Sequence, residues 1–375
     1  MGGIAYPLTI NDMKIILVSF SKLPPFQNYM YNLARQLTKM NIEVRTVGAI
    51  PHSAIHVDET NYILDVHDSP NPSFKSLKKY LKIQKSLCVH FDKASPAHVV
   101  FISKHFWNYL LIRKLNKNIK KYHVFHDPIG HKGDIIRFGV ILYNRLIAKK
   151  VDKIFVHSNN AFHDTIKYIK PDVPVIKIPL GEEEWLELNQ ENHIFNKLLI
   201  FGRINNYKGY EFIPQLADAL KSELPEVRIV VAGKSSKDVN RQILQDIANK
   251  DNVKFTDEFI PEDKMHDYFD TCDAVIVLHT SITQSGVIIN AYRHTKGIIC
   301  FKIDGIEEFI DEHSSISVDA FDIQAMCKSI KRAYNDKVFY MLGRNAWHLG
   351  QEIFSIEKMA EGYFENIRLL PMGCE

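Results

Sequence analysis

Residues 198–212 read LLIFGRINNYKGYEF. Four apolar residues run straight into Gly202 and Arg203, and Lys208 and Gly209 follow a few positions later. A continuous apolar run that ends in a turn is the mark of a strand buried on both faces of a parallel sheet. In such sheets ligands bind beyond the carboxyl ends of the strands. Gly202 lets the chain turn tightly, and a helix expected to begin near Tyr210 would aim its positive end at the same place. Arg203 can hold an anion through two N–H groups, and Lys208 adds a compact charge. Two cations beside free amides suit a diphosphate. Taken alone, the stretch also reads as a surface turn with incidental charges, so its neighbours decide.

Those neighbours repeat the pattern. Strands are expected at 227–233, 252–257, 273–279, 297–302 and 314–318, with helical stretches between them. VVAGKSS (230–236) ends in Gly233 and Lys234, a second close approach of backbone to ligand. The turn after 273–279 gathers Ser281, Thr283, Gln284, Ser285 and Gly286, a neutral cradle of hydroxyls, an amide and bare N–H groups. CFKIDGIEEFI (300–310) places Glu307 and Glu308 at an expected helix start. There a carboxylate either complements the helix dipole or accepts hydrogen bonds from sugar hydroxyls.

An earlier series precedes this one. MKIILVSF (13–20) is a buried strand, 27–40 has helical spacing, and strands follow at 42–50, 98–103, 122–126, 153–158 and 175–179. Strands alternating with helices imply parallel βαβ units. At 375 residues the chain exceeds one ordinary core. The expectation is an α/β protein of two doubly wound, Rossmann-like domains facing across a cleft. Residues 1–185 with a returning helix at about 355–375 form the first, and 186–354 the second. The polar, acidic segment 181–196 is the expected linker.

With these motifs in order, the second half resembles the retaining glycosyltransferases of the GT-B fold, family 4 type. That family shows strand–GR–x4–KG, strand–G, a strand–loop–helix with an E-x7-E pair, and G-x-x-E. The likeness covers 197–310 and extends to FSIEKMAEGYFENI (354–367), similar to the family's terminal helix that crosses back to the N-domain. It implies that Arg203 and Lys208 bind the donor's diphosphate, and that Gly202, Gly233, Lys234 and the 283–286 turn complete the donor site. Glu308 would touch the donor, and His126 in VFHDPIGH (124–131) would face its sugar. Catalysis would then rest on His126, Arg203, Lys208 and Glu308, with no metal and no cofactor beyond a UDP- or GDP-sugar donor. The chain departs from the family at the acidic pair, where Thr283 or Gln284 and Asn290 or Ala291 stand. Gln284 and Asn290 keep hydrogen-bonding power without charge.

The resemblance implies a transferase that moves a sugar to a glycan or lipid-linked acceptor, with retention, in surface polysaccharide or glycoconjugate biosynthesis. Two other readings stay open. The missing glutamates suit a catalytically silent sugar-nucleotide-binding subunit, and the same fold serves sugar-nucleotide epimerases and phosphorylases. His123, His126 and His131 lack the Cys or acidic partners of a zinc site. No G-x-S-x-G hydrolase signature is present.

The bulk composition is that of a globular protein, with 46% hydrophobic and 24% charged residues. Net charge is +3, too low for a dedicated nucleic-acid binder. Residues 1–195 nevertheless hold 26 Lys and Arg against 17 Asp and Glu, and the remainder 21 against 27. The basic excess falls in FKSLKKYLKIQK (74–85) and IRKLNKNIKK (112–121), both read as helices. It reflects either solvated faces or contact with an anionic membrane surface. Five scattered cysteines without a CxxC fit a reducing cytoplasm. No run is long enough to span a bilayer, so any membrane contact is expected to be peripheral.

Overall fold

A computed structural model describes residues 13–49, 61–66, 71–130, 137–182, 185–188, 193–237, 239–282 and 285–368. The chain divides into two compact units, Met1–Glu183 with Ile356–Glu375, and Glu184–Ser355.

The first unit is built on seven parallel strands: β1 (Lys14–Ser19), β2 (Glu43–Ala49), β3 (Asn61–Leu64), β4 (His98–Phe101), β5 (Lys120–Val124), β6 (Lys153–Val156) and β7 (Val175–Lys177). Their spatial order is β3-β2-β1-β4-β5-β6-β7. Successive side chains on a strand point to opposite faces, and the apolar runs fill both. In β1, Ile16 and Val18 join one core while Ile15 and Leu17 join the other. The first core is roofed by helices 74–94, 106–112 and 137–148, through Leu87, Trp107 and Ile147. The second is roofed by helix 24–39, through Met30, Leu33 and Leu37, and by helix 356–368, through Met359 and Tyr363. The returning helix is thus part of this core: Tyr363 and Tyr29 hydroxyls lie 2.6 Å apart, and Lys153 Nζ donates to the Asn366 carbonyl at 2.6 Å.

The second unit has six parallel strands: β8 (Lys197–Phe201), β9 (Arg228–Ala232), β10 (Val253–Thr256), β11 (Ala274–Val277), β12 (Gly297–Lys302) and β13 (Ser315–Asp319). Their order is β10-β9-β8-β11-β12-β13. The chain leaves β8 toward one edge and returns to β11 on the other side. The loops after β8 and β11 therefore lie side by side at the switch in strand order. Part of the expected linker docks onto this unit. Trp347 Nε1 donates to the Leu186 carbonyl at 2.9 Å, and the Phe195 amide donates to the Asp273 carboxylate at 2.7 Å.

Four local expectations change. Strand β3 has no signal in the sequence, being four residues long at the sheet edge. Residues 112–121 are not a helix: the helix ends at Ile112, turns follow, and Lys120 opens β5. Asn116 explains the break, because its side chain accepts from the Asn118 amide at 3.0 Å and so competes with helical pairing. The helix expected near Tyr210 begins at Ile213, after two 3-10 turns. Glu307 and Glu308 sit in a single 3-10 turn, Ile306–Glu308, with no helix behind it to supply a dipole.

Candidate active site

The carboxyl edge of the second sheet is assembled around Gly202. Its φ is 101°, in the region open to glycine. A Cβ there would lie 3.1 Å from Val287 Cγ2 and 3.2 Å from Lys208 Nζ. The lysine ammonium and the first turn of helix 286–293 therefore meet over one bare Cα. Behind it, Gly233 has φ 153° and packs its Cα against the Gly202 carbonyl, leaving no room for a side chain. Tyr210 fixes this turn by donating its hydroxyl to the Gly202 carbonyl at 3.1 Å. The Thr280 amide and hydroxyl both donate to the Tyr207 carbonyl, at 2.8 and 3.1 Å, which ties the loops after β8 and β11 together.

Charge is concentrated here. Arg203 is exposed and Lys208 half-buried, and among the described residues neither side chain makes an ion pair. Burial, and then the charge of Arg203, push the Lys208 ammonium down to about 8. Two cations held close without a counter-ion store repulsion that an anion relieves. Helix 286–293 adds amides. Ser285 caps it by accepting from the Ile288 amide at 3.4 Å, and the Gly286 and Val287 amides lie ahead of any intrahelical acceptor. Gly286 has open space where a side chain would stand. Beside these groups a depression of about 470 Å³ is lined by Phe201, Gly202, Arg203, Gly233, Lys234 and the exposed Phe259.

Other expected residues are placed differently. Lys234 lines the depression, but its ammonium leans to Asp257, 3.6 Å from Oδ1 and 3.3 Å from the main-chain carbonyl. The Asn290 amide is engaged within its own helix: Nδ2 donates to the Gly286 carbonyl at 2.9 Å, and Oδ1 accepts from Arg293 at 2.9 Å. Glu308 is half-buried on its turn beyond β12. Thr283, Gln284 and His131 lie outside the described residues.

His279 had no expected role. It is buried beyond the end of β11, its Nδ1 has no hydrogen-bond partner, and its ring lies 6.0 Å from that of Tyr207. Burial, and then the charge of Lys208, push its imidazole down to about 3, so it stays neutral. No sequence signal marks it, since a histidine ending an apolar strand reads as core.

In the first unit, His126 follows β5. Its Nε2 donates to the Ile102 carbonyl at 2.8 Å, which leaves the lone pair on Nδ1. Burial lowers its pKa, so the ring is neutral. Phe26 and Tyr29 pack edge-on to it at 4.9 and 5.7 Å, and the His157 ring lies 5.0 Å away. His123 has both nitrogens engaged, with the Asn108 amide at 3.0 Å and the Val124 carbonyl at 2.9 Å. Among the described residues no group of three or more His, Cys, Asp or Glu side chains converges.

The sequence matches two family models. Residues 26–182 match Glycosyltransferase Family 4, and residues 196–336 match Glycosyl transferases group 1. No curated protein sequence matches it. Among solved structures, sucrose-phosphate synthase from Thermosynechococcus elongatus superposes with a TM-score of 0.72 at 17% identity, over 95% of this chain and 98% of the other. A glycosyltransferase from Rickettsia africae gives 0.69 at 16%, over 94% and 97%. HepE from Anabaena, in complex with UDP and glucose, gives 0.68 at 15%, over 96% and 100%. The strand orders and the two family matches, one on each unit, agree: the chain belongs to the group 1 glycosyltransferases of the GT-B fold.

Proposed function

We propose that the second unit binds a nucleoside diphosphate-sugar, UDP- or GDP-linked, and that the enzyme passes the sugar to a glycan or lipid-linked acceptor of surface polysaccharide or glycoconjugate assembly. One observation carries this reading. The Lys208 ammonium and the start of helix 286–293 meet over Gly202, with Arg203 close enough to depress the lysine. Such an arrangement is complementary to a doubly charged group with several acceptor oxygens.

Departure of a nucleoside diphosphate from an oxocarbenium-like centre concentrates negative charge on the leaving phosphate. Arg203, Lys208 and the Gly286 amide would stabilise that charge as it grows, and groups already in place cost no reorganisation at that moment. Among the described residues no carboxylate forms an ion pair with Arg203 or Lys208. We assign retention to same-face attack, with the leaving phosphate accepting the acceptor's proton. His126 supplies a neutral hydrogen-bond acceptor for a sugar hydroxyl. Neither Lys234 nor Asn290 is assigned a donor contact in this arrangement.

A thermal-shift screen of UDP, GDP, CMP and their sugars tests the reading. Selective stabilisation by one diphosphate family supports it, because a ligand that binds only the folded state raises the transition temperature. No shift with any nucleotide, in protein shown to be folded, would overturn it.

A further inference from the structure

Helices 74–94, 106–112, 137–148 and 159–169 roof one side of the first sheet, over the core that includes Leu87, Trp107, Ile147 and Ile169. Among the described residues twelve large apolar side chains are exposed, and seven of them lie on the outer surface of this one layer. Helix 74–94 contributes Phe74 (82% exposed), Leu81 (60%) and Val89. Helix 137–148 contributes Phe138 (75%), Leu142 and Leu146, spaced i, i+4 and i+8 on one stripe. Ile166 is the seventh. Their inward neighbours Tyr80, Leu87 and Ile147 are buried, so each helix has apolar residues on both sides. Core packing accounts for only one of those sides.

Cations are interleaved with this outer apolar surface. Lys75, Lys78, Lys82 and Lys85 are exposed on the first helix and Lys149 follows the second; among the described residues none of the five makes an ion pair. A groove of about 170 Å³ continues the surface, floored by Leu142, Leu146 and Ile169 and rimmed by Arg145, Lys149 and Lys170. Asp172 is the one acid on its rim. Both long helices begin at the carboxyl edge of the sheet. Each ends beside strand starts, as shown by the Ala97 amide on the Lys14 carbonyl at 3.1 Å and the Asp152 amide on the Lys121 carbonyl at 2.7 Å. Phe74 and Phe138, in their first turns, therefore stand at the edge where parallel sheets bind ligands.

We infer that this helical layer is a bilayer-docking face: its aromatic and aliphatic side chains enter the headgroup–acyl boundary, and its unpaired lysines meet anionic headgroups. Exposed apolar side chains gain free energy on leaving water, and each basic residue near an anionic surface adds to it. Lysines outnumber the exposed acids of this layer, Asp92 and Asp172, and a second copy of this chain docked through the same face would set lysines against lysines. The inference deepens the lipid-linked acceptor proposed above and rests on it for its purpose. Docking would bring such an acceptor to the edge that carries His126.

Flotation of the full chain with vesicles tests it. Phosphatidylcholine vesicles alone and vesicles containing phosphatidylglycerol are compared at low and high salt. Binding is expected only with the anionic lipid, weakening as salt rises. Changing Lys75, Lys78, Lys82 and Lys85 together to Glu, or Phe138 and Leu142 together to Ser, lowers the bound fraction roughly tenfold or more. All six side chains are exposed, and circular dichroism confirms the fold. Nucleotide-induced thermal shifts are measured on the same variants and stay unchanged, which separates this face from the donor site. Absence of vesicle binding, binding indifferent to headgroup charge, or self-association abolished by Phe138→Ser and Leu142→Ser would overturn the inference.

Discussion

The two sheets end in opposite chemistry. Beyond β8 and β11 the second unit gathers two free cations, a capped helix start and close-packed glycines. Beyond β5 and β6 the first unit gathers His126, His157, Phe26 and Tyr29, an aromatic and neutral group. Both edges come from the same βαβ logic, so the fold does not choose the ligand; the residues in the loops and first helical turns past each strand do. One edge suits a diphosphate. The other suits hydroxyl-rich or apolar surfaces.

The largest expected difference is in acid. Burial pushes His98 down to about 4 and His123 and His157 to about 3 in the first unit, whereas His279, at about 3, is the one histidine so depressed among the described residues of the second. A histidine depressed in the folded state takes up a proton on unfolding below pH ~6.5, so stability falls from there toward the folded values. At pH ~4.5 each contributes roughly 2–3 kcal/mol of destabilisation. Calorimetry with limited proteolysis should show the first unit opening before the second as pH drops. Simultaneous opening, or a pH-independent transition, would break the comparison.

Next comes the cation pair. Arg203→Ala and Lys208→Ala are each expected to reduce kcat/KM by roughly 10²–10³, the scale of losing one preorganised charge donor at a leaving group. His126→Ala should lower kcat while leaving nucleotide affinity unchanged. Equal losses of nucleotide affinity in all three variants would erase the distinction between the edges.

A smaller effect appears in base. Lys208, at about 8, loses its proton as pH rises, and a bound diphosphate favours the protonated form. Donor affinity should therefore fall roughly tenfold from pH ~7 to ~9.5, with proton uptake on binding in that range. Calorimetric titration in buffers of different ionisation enthalpy measures both. A Lys208→Met variant should lose the dependence.

The smallest concerns Asn290. Because its amide is spent on Gly286 and Arg293, Asn290→Ala should change donor KM less than about threefold, near the weak end of single neutral hydrogen bonds. A tenfold rise would show that the amide turns to the ligand.

Apolar runs made the interior strands legible, because a strand buried on both faces leaves a continuous signal, as in 13–20 and 197–202. Strand β3 left none: short and at an edge, it needs no such run. Arg203 and Lys208 were readable because their glycines mark the turn. His279 was not. Its proximity to Lys208 depends on β11 pairing beside β8, a neighbour distant in sequence. The cationic run 112–121 resembles a solvated helix face, but Asn116 turns its side chain to the Asn118 amide and ends helical pairing there. The docking layer was half legible: lysines on helix 74–94 stood out, but the exposure of Phe74 and Phe138 appears only once the inward faces are known.

The most direct test is an equilibrium titration of the intact protein with a nucleoside diphosphate and the matching monophosphate. The diphosphate should bind at least roughly tenfold more tightly, and the difference should vanish in the Arg203→Ala, Lys208→Ala double variant. Equal affinity for the two nucleotides, or a preference that survives loss of both cations, would contradict the account.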